Sequence, residues 1–184
     1  MLKRVGTKTH ARVDIVGKHN VKNALAHVHI SQDLDNGAIC TLGDLMTGEL
    51  IAKEAVDVTP TTKREDIVIL KAPEIVADES SKDYTALKYF YNQAGEIVRG
   101  YYLKDLDKIH VSEEAIDPVD ISTPLAVGQY IVPSTGFKMK ASTSDTNAIG
   151  KIVAKNTENV KTYYDATTQN FIGNSYDMFY IELL

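Results

Sequence analysis

The stretch DLDNGAICTLGDL, residues Asp33 to Leu45, combines closely spaced acids with an Asn-Gly pair, so it could be a calcium loop or a β-turn. An EF-hand loop needs Gly at its sixth position and a bidentate Glu at its twelfth. Counted from Asp33, those positions hold Ala38 and Asp44. Asn-Gly instead favours a type I′ hairpin turn, because both residues tolerate a positive φ. The stretch therefore predicts a hairpin in which a strand over 24–30 pairs with the strand that starts at Ala38.

The rest of the chain consists of short apolar or alternating segments separated by turn formers, which is typical of an all-β sandwich or barrel. A further hairpin is predicted at Ser134-Thr135-Gly136, with Gly136 in the left-handed region. The last segment runs to the final residue, so the C-terminus is expected to lie in a sheet. The predicted strands are 24–30, 38–45, 66–73, 95–103, 108–112, 128–133, 137–142, 148–155 and 177–184.

One segment departs from this pattern. In DYTALKYFYNQAG, residues 83–95, the apolar side chains Tyr84, Leu87, Phe90 and Tyr91 recur at helical spacing and indicate a short helix that packs on the sheet. The predicted fold class is therefore mainly β: an antiparallel sandwich or barrel body with one short helix and an extended N-terminal arm.

Two domain boundaries are predicted. The arm covers residues 1–20 and the β-rich body covers 21–184. A candidate sub-boundary lies at 116–124, where two prolines stand among several turn formers. The halves on either side of it are either two small domains or parts of one shared core.

The charge of the chain is unevenly distributed. The net charge is −5, but residues 1–22 hold six Lys and Arg against one Asp, a balance of +5 that leaves −10 for the remainder. A basic start on an acidic body suggests an arm that lies on another surface; the alternative is a solvated, frayed terminus. Residues 1–22 contain no aromatic residue, and the body is acidic, so nucleic acid is not an expected partner. The arm residues assigned to binding are Lys3, Arg4, Lys8 and Arg12.

Candidates for chemistry are few. His27 and His29 form an H-x-H pair that a strand would place on one face, where they could be metal ligands. A zinc site needs further ligands, and the alternative is a pair of surface or cross-strand histidines.

We find no nucleophile elbow, P-loop, dinucleotide-binding or metalloprotease motif, so we expect neither catalysis nor a cofactor. Cys40 is the single cysteine, so an intrachain disulfide is excluded and synthesis of the protein in the cytosol is expected. We expect Cys40 to be a buried structural thiol. No apolar run is long enough to span a bilayer, and no signal peptide is expected.

Tyrosine is the remaining compositional feature, since the chain has ten tyrosines and no tryptophan. Most of them come in close pairs, and strand alternation should send one member of each pair inward and one outward. Outward tyrosines suit a contact surface, because they bury a large area at small entropic cost. The ordinary composition of sheets is the alternative explanation.

The order of several motifs carries a resemblance. The motifs follow one another in the order DLDNGAICTLGDL, APEIVADES, NQAGEIVRGYYLKDLDKIHVSEEAI, VGQYIVPSTG and AIGKIVAKN, and the similar range runs from about Val28 to Lys155. In this order they resemble a family of small proteins encoded beside the major capsid gene of tailed bacteriophages, which commonly infect Gram-positive bacteria. The C-terminal part is also similar to capsid decoration (cement) proteins, with VGQY at 127–130 and AIGK at 148–151 in the places of their turn and strand motifs.

The resemblance implies a non-enzymatic virion protein, synthesised in the host cytoplasm, that binds the outer capsid surface and stabilises the shell after expansion. The implied partner is the major capsid protein, with self-association on the capsid and no membrane or nucleic-acid partner. We add the hypothesis that the arm contacts acidic capsid surface, and that a deletion of 1–20 would leave a folded protein unable to bind. The alternatives are a head-fibre or tail component and a small-ligand-binding β-barrel.

Overall fold

The computed structural model describes residues 11–17, 25–74, 90–120, 122–165 and 169–184. The protein is mainly β, which confirms the predicted class, and its strands form a seven-stranded sheet and a closed five-stranded barrel. The helical elements among the described residues are short 3-10 turns at Arg64–Asp66, Leu103–Asp105 and Glu113–Ala115. Of the helix predicted over 83–95, residues 83–89 lie outside the described residues, while Phe90 and Tyr91 are described and are not helical.

The strands are short except for the last two. They are β1 (Val13–Gly17), β2 (Leu25–His29), β3 (Ile39–Leu45), β4 (Ala52–Val56), β5 (Val68–Leu70), β6 (Ile97–Tyr102), β7 (Leu106–Ser112), β8 (Ile116–Asp117), β9 (Tyr130–Pro133), β10 (Met139–Ser142), β11 (Gly150–Asp165) and β12 (Asn170–Leu183).

The barrel closes in the order β2-β4-β3-β5-β6, and only the β2–β4 pair is parallel. So small a barrel can be filled by its own side chains. Gly100 illustrates how tightly it is filled: a Cβ built there would lie 2.3 Å from Val68 Cγ1 and 2.9 Å from Val28 Cγ2. The cluster within the barrel consists of Ala26, Val28, Ile30, Leu34, Cys40, Val68, Leu70, Val98 and Phe137.

The barrel and the seven-stranded sheet share a second core. Strand β5 is buried along its whole length because successive side chains point to opposite faces: Val68 and Leu70 join the barrel cluster, and Ile69 joins the shared cluster. The sheet, ordered β1-β7-β12-β11-β9-β10-β8, draws strands from both sides of residues 116–124. The shared-core alternative is therefore the one observed. This core includes Ile39, Val58, Ile67, Ile69, Ile109, Val111, Ile131, Met139, Ile152, Phe179 and Ile181.

The predicted hairpin between residues 24–30 and the strand from Ala38 is wrong, although the turn exists. Strand β2 pairs with β4 and β6, while β3 pairs with β4 and β5. The turn is not type I′ either, because Gly37 has a positive φ of 86° and Asn36 does not. Asn36 is buried, and its side-chain amide forms the two hydrogen bonds that a neighbouring strand residue would form. Nδ2 donates to the Ala72 carbonyl at 3.1 Å, and Oδ1 accepts from the Ala72 N–H at 2.9 Å. It thus extends the β3–β5 ladder.

The other predicted hairpin is confirmed. Strands β9 and β10 are antiparallel, with Met139 opposite Pro133, and Gly136 between them has a φ of 93°. The prediction that the C-terminal segment lies in a sheet is also confirmed by β12, which ends at Leu183.

The predicted N-terminal arm needs a correction. Strand β1 lies within residues 1–20 and pairs antiparallel with β7, with Val13 opposite Val111. Ala11 and Val13 are buried in the shared core, at 1% and 3% exposure. Residues 11–17 are therefore part of the body, because their apolar side chains complete its core. A deletion of 1–20 would remove a strand, contrary to the expectation that it spares the fold.

Candidate contact surface

Arg12 is held against the body by its main chain and its side chain. Its N–H donates to Ser112 Oγ at 2.9 Å, and the Ser112 N–H donates to the Arg12 carbonyl at 2.9 Å. Its guanidinium donates to Glu158 Oε2 at 3.3 Å and lies 5.6 Å from the ring centroid of the buried Tyr176. Arg12 therefore anchors the start of the described chain to strands of the body. The other three residues assigned to capsid binding, Lys3, Arg4 and Lys8, lie outside the described residues.

The most extended element is the β11–β12 hairpin, which pairs from Gly150 and Leu183 to Asp165 and Asn170. Strand β7 pairs with β12 only over 178–182, and β9 pairs with β11 only over 150–151. Among the described strands, the part from 157–165 and 170–177 therefore has no third strand beside it. At about 3.4 Å per residue, this two-stranded ribbon is about 30 Å long.

The base of the ribbon is where Arg12 makes its contacts. Glu158 and Tyr176 are direct cross-strand partners, and Arg12 touches both. One residue towards the sheet on each strand, Thr157 Oγ1 donates to Asp177 Oδ1 at 2.7 Å, and Lys155 Nζ lies 2.7 Å from Asp177 Oδ2. These two donors, Lys155 first, hold the pKa of Asp177 below its usual value. We call Arg12, Thr157, Glu158, Tyr176 and Asp177 the ribbon base. The N-terminal segment thus enters the body where the ribbon leaves it.

Three polar side chains lie side by side on the seven-stranded sheet, near the ribbon base. Asp14, His110 and Tyr180 are successive cross-strand partners on β1, β7 and β12. The rings of His110 and Tyr180 lie 3.8 Å apart between centroids. Burial lowers the pKa of His110, and the nearby carboxylates of Asp14 and Glu158 partly offset this effect. His110 and Tyr180 are half-buried, whereas Asp14 is exposed and pairs with Lys71 at 3.1 Å.

The adjacent pair Tyr101 and Tyr102 follows strand alternation, but the predicted outward-facing member is not observed. Tyr101 packs on the shared core, and Tyr102 packs on the barrel cluster. They do lie on opposite faces, yet both faces are apolar. Tyr130 and Tyr180 are half-buried at the sheet surface, and the ammonium of Lys151 lies 5.2 Å from the Tyr130 ring centroid.

The two histidines of the H-x-H pair lie on β2, with His27 exposed and His29 half-buried. His29 Nδ1 lies 2.6 Å from Glu54 Oε2 on the neighbouring strand β4, within hydrogen-bonding distance. In the part of the chain that the structure describes, no group of three or more His, Cys, Asp or Glu residues could hold a metal ion. His29 therefore has a cross-strand carboxylate partner, whereas His27 is exposed. Cys40 lies in the barrel with no exposed area, and burial raises its pKa to about 12, as expected for a structural thiol.

The chain matches no protein-family model, no curated protein and no solved structure. No helix in the described ranges is long and apolar enough to cross a membrane.

Proposed function

We propose that this chain is a non-enzymatic structural protein of a tailed-phage virion, which binds the outer surface of the capsid and stabilises the shell after expansion. The observation that carries the proposal is the convergence at the ribbon base, where a basic N-terminal segment and a two-stranded ribbon meet at Arg12. A ribbon and a basic segment that join the body at one place could contact neighbouring capsid subunits together.

The ribbon supports a role in binding. A two-stranded hairpin without further packing is marginally stable in water, so the part of this ribbon without a third strand among the described ones would gain from a partner surface. Its sequence contains Tyr163, Tyr164, Phe171 and Ile172, and the register places Tyr163 opposite Ile172 and Tyr164 opposite Phe171. Aromatic residues of this kind dominate the binding energy of many protein interfaces.

The proposed mechanism is reinforcement by mass action. A protein that binds only the expanded shell stabilises that state in proportion to the logarithm of its free concentration relative to Kd. The shared core keeps the barrel and the sheet together, so that force on the ribbon passes to one body. Lys3, Arg4 and Lys8 would contact acidic capsid surface, while Arg12 keeps the N-terminal segment at the ribbon base.

The two alternatives differ in their support. A small-ligand barrel needs interior space, yet Gly100 has no room for a methyl group beside Val68 and Val28. The packed interior therefore gives that function no support. A head-fibre or tail component would also use extended elements, and capsid binding separates it from a decoration protein.

The test is co-sedimentation with expanded capsids, prepared without this protein, of a tailed phage that encodes it. We expect saturable binding at a fixed ratio to the major capsid protein and a higher temperature of shell disruption. No binding to capsids, together with incorporation into tails or fibres, would reject the decoration function.

The role of the basic segment needs a shorter truncation than 1–20, because Ala11 and Val13 belong to the core. We expect a variant lacking 1–10 to fold and to bind capsids more weakly, with a loss that shrinks as salt is added. The triple variant K3S/R4S/K8S should behave likewise. Its matched control, with the same change in net charge at exposed sites elsewhere, is K63S/K104S/K140S.

A further inference from the structure

The β3–β4 hairpin tip, residues 44–51, exposes three large apolar side chains. Leu50 is 90% exposed, Ile51 63% and Leu45 52%. Single exposed apolar residues are common on protein surfaces, but turns are normally built from Gly, Pro, Asn, Asp and Ser. These three side chains lie within the eight residues of the tip, and none of them belongs to either core cluster.

The tip is ordered by its own backbone. The Met46 N–H donates to the Ala52 carbonyl at 2.9 Å, and the Glu49 N–H donates to the Met46 carbonyl at 3.0 Å. A register shift between Leu42 and Leu45 places a bulge at the foot of the tip, and bulges bend and twist a strand. Because the conformation is already fixed, binding through this tip would cost little ordering entropy.

The charges around the tip indicate which kind of surface it can bind. Asp44 and Glu49 are exposed within it, and the nearest cation along the strand is Lys53, opposite Leu45. An acidic rim disfavours an anionic lipid surface, to which basic residues are attracted. It is complementary to a protein surface that offers an apolar pocket surrounded by Lys or Arg.

We propose that the hairpin tip docks into such a pocket on the major capsid protein, with Leu50 and Ile51 inserted and Glu49 facing the basic rim. The identity of the partner rests on the proposed decoration function. This contact is separate from the ribbon base and opposite in charge to the N-terminal segment, so one protein would bridge two kinds of capsid surface.

The experiment is capsid co-sedimentation of the full-length protein and three variants whose folding is checked by circular dichroism and Tm. L50S/I51S should raise Kd about hundredfold or more, because losing the burial of each large apolar side chain costs about tenfold or more in affinity. E49K should raise Kd several-fold at low salt and less at high salt. The control V127S/L184S replaces side chains that are 56% and 58% exposed elsewhere, and it should bind like the wild type.

Each outcome decides one point. Wild-type binding with an unchanged Kd for L50S/I51S, or an equal loss in the control, overturns the tip inference and leaves the decoration function standing. Absence of wild-type binding rejects the decoration function, and with it a capsid partner for the tip. Flotation with phosphatidylcholine vesicles, with and without phosphatidylglycerol, is run in parallel. Binding there that L50S/I51S abolishes would assign the tip to lipid and overturn the protein pocket.

Discussion

Gly100 provides the sharpest test of the barrel, and the perturbation is a single methyl group. In Gly100→Ala, the new Cβ would lie 2.3 Å from Val68 Cγ1 and 2.9 Å from Val28 Cγ2, both closer than carbon atoms approach without a shift. Val68 cannot easily turn away, because a β-branched side chain is stiff at χ1. The strand must therefore move, or one of the two valines must leave its preferred rotamer.

The magnitude follows from two opposing effects. Overpacking by a methyl group costs about 1–3 kcal/mol, and a contact this short with a stiff neighbour places the cost near 3 kcal/mol. Alanine also restricts the unfolded chain relative to glycine, and this effect stabilises the folded state by up to about 1 kcal/mol. We expect a net loss of about 2 kcal/mol in the free energy of unfolding. For a chain of this size, that loss lowers Tm by about 4–8 °C.

The assay is urea unfolding of a double-mutant cycle with Val68→Ala. Removing the Val68 methyl groups costs about 1.6 kcal/mol in lost burial, but it opens the space that the new methyl group of Gly100→Ala needs. The double variant should therefore be at least about 1 kcal/mol more stable than the sum of the single losses predicts. Gly48→Ala is the control: Gly48 has a φ of 88° and nothing within 4 Å of its added Cβ, so Val68→Ala should not rescue it.

The result that would refute this reasoning is a Gly100→Ala protein as stable as the wild type, or additive losses in the cycle. Either outcome would mean that the barrel interior has free volume near Gly100. It would also restore support for the small-ligand alternative.

Three further predictions rest on the described contacts. Asn36→Ala should lower the free energy of unfolding, measured in urea, by about 2–4 kcal/mol, because it leaves the N–H and carbonyl of Ala72 without their amide partner. A loss below about 1 kcal/mol would contradict the role of the Asn36 side chain in extending the β3–β5 ladder. Cys40, with a pKa of about 12, should not react with Ellman's reagent at pH 8 until urea opens the barrel, so rapid native labelling would place the thiol elsewhere. The folded-state pKa of Asp177 is lowered, chiefly by Lys155, so its stabilisation is present above about pH 4 and is lost as pH falls through the folded pKa. Asp177→Asn should therefore be less stable than the wild type at pH 7 and match it in strong acid; a difference that persists at pH 2 would assign the effect to packing.

Local pattern in the sequence determined where most strands and turns occur, although β1 and β4 were not among the predicted strands. Alternation places the strands over 24–30 and 137–142, because a half-buried strand has a side-chain period of two. Gly37 and Gly136 mark turns because glycine adopts a positive φ without steric cost. The solitary Cys40 among apolar neighbours was correctly expected to be buried.

Tertiary structure alone decided which strands are neighbours and what the candidate surface is. Strand β2 does not pair with β3, the next strand in the sequence, but with β4 and β6. Backbone hydrogen-bonding groups are the same in every strand, so the packing of side chains distant in sequence selects the partner. The same holds for Arg12. Its position in a basic segment indicated an exposed binding residue, but Glu158 and Tyr176, brought near by β7 and β12, convert it into an anchor. A partner 146 residues away leaves no local signal in the sequence.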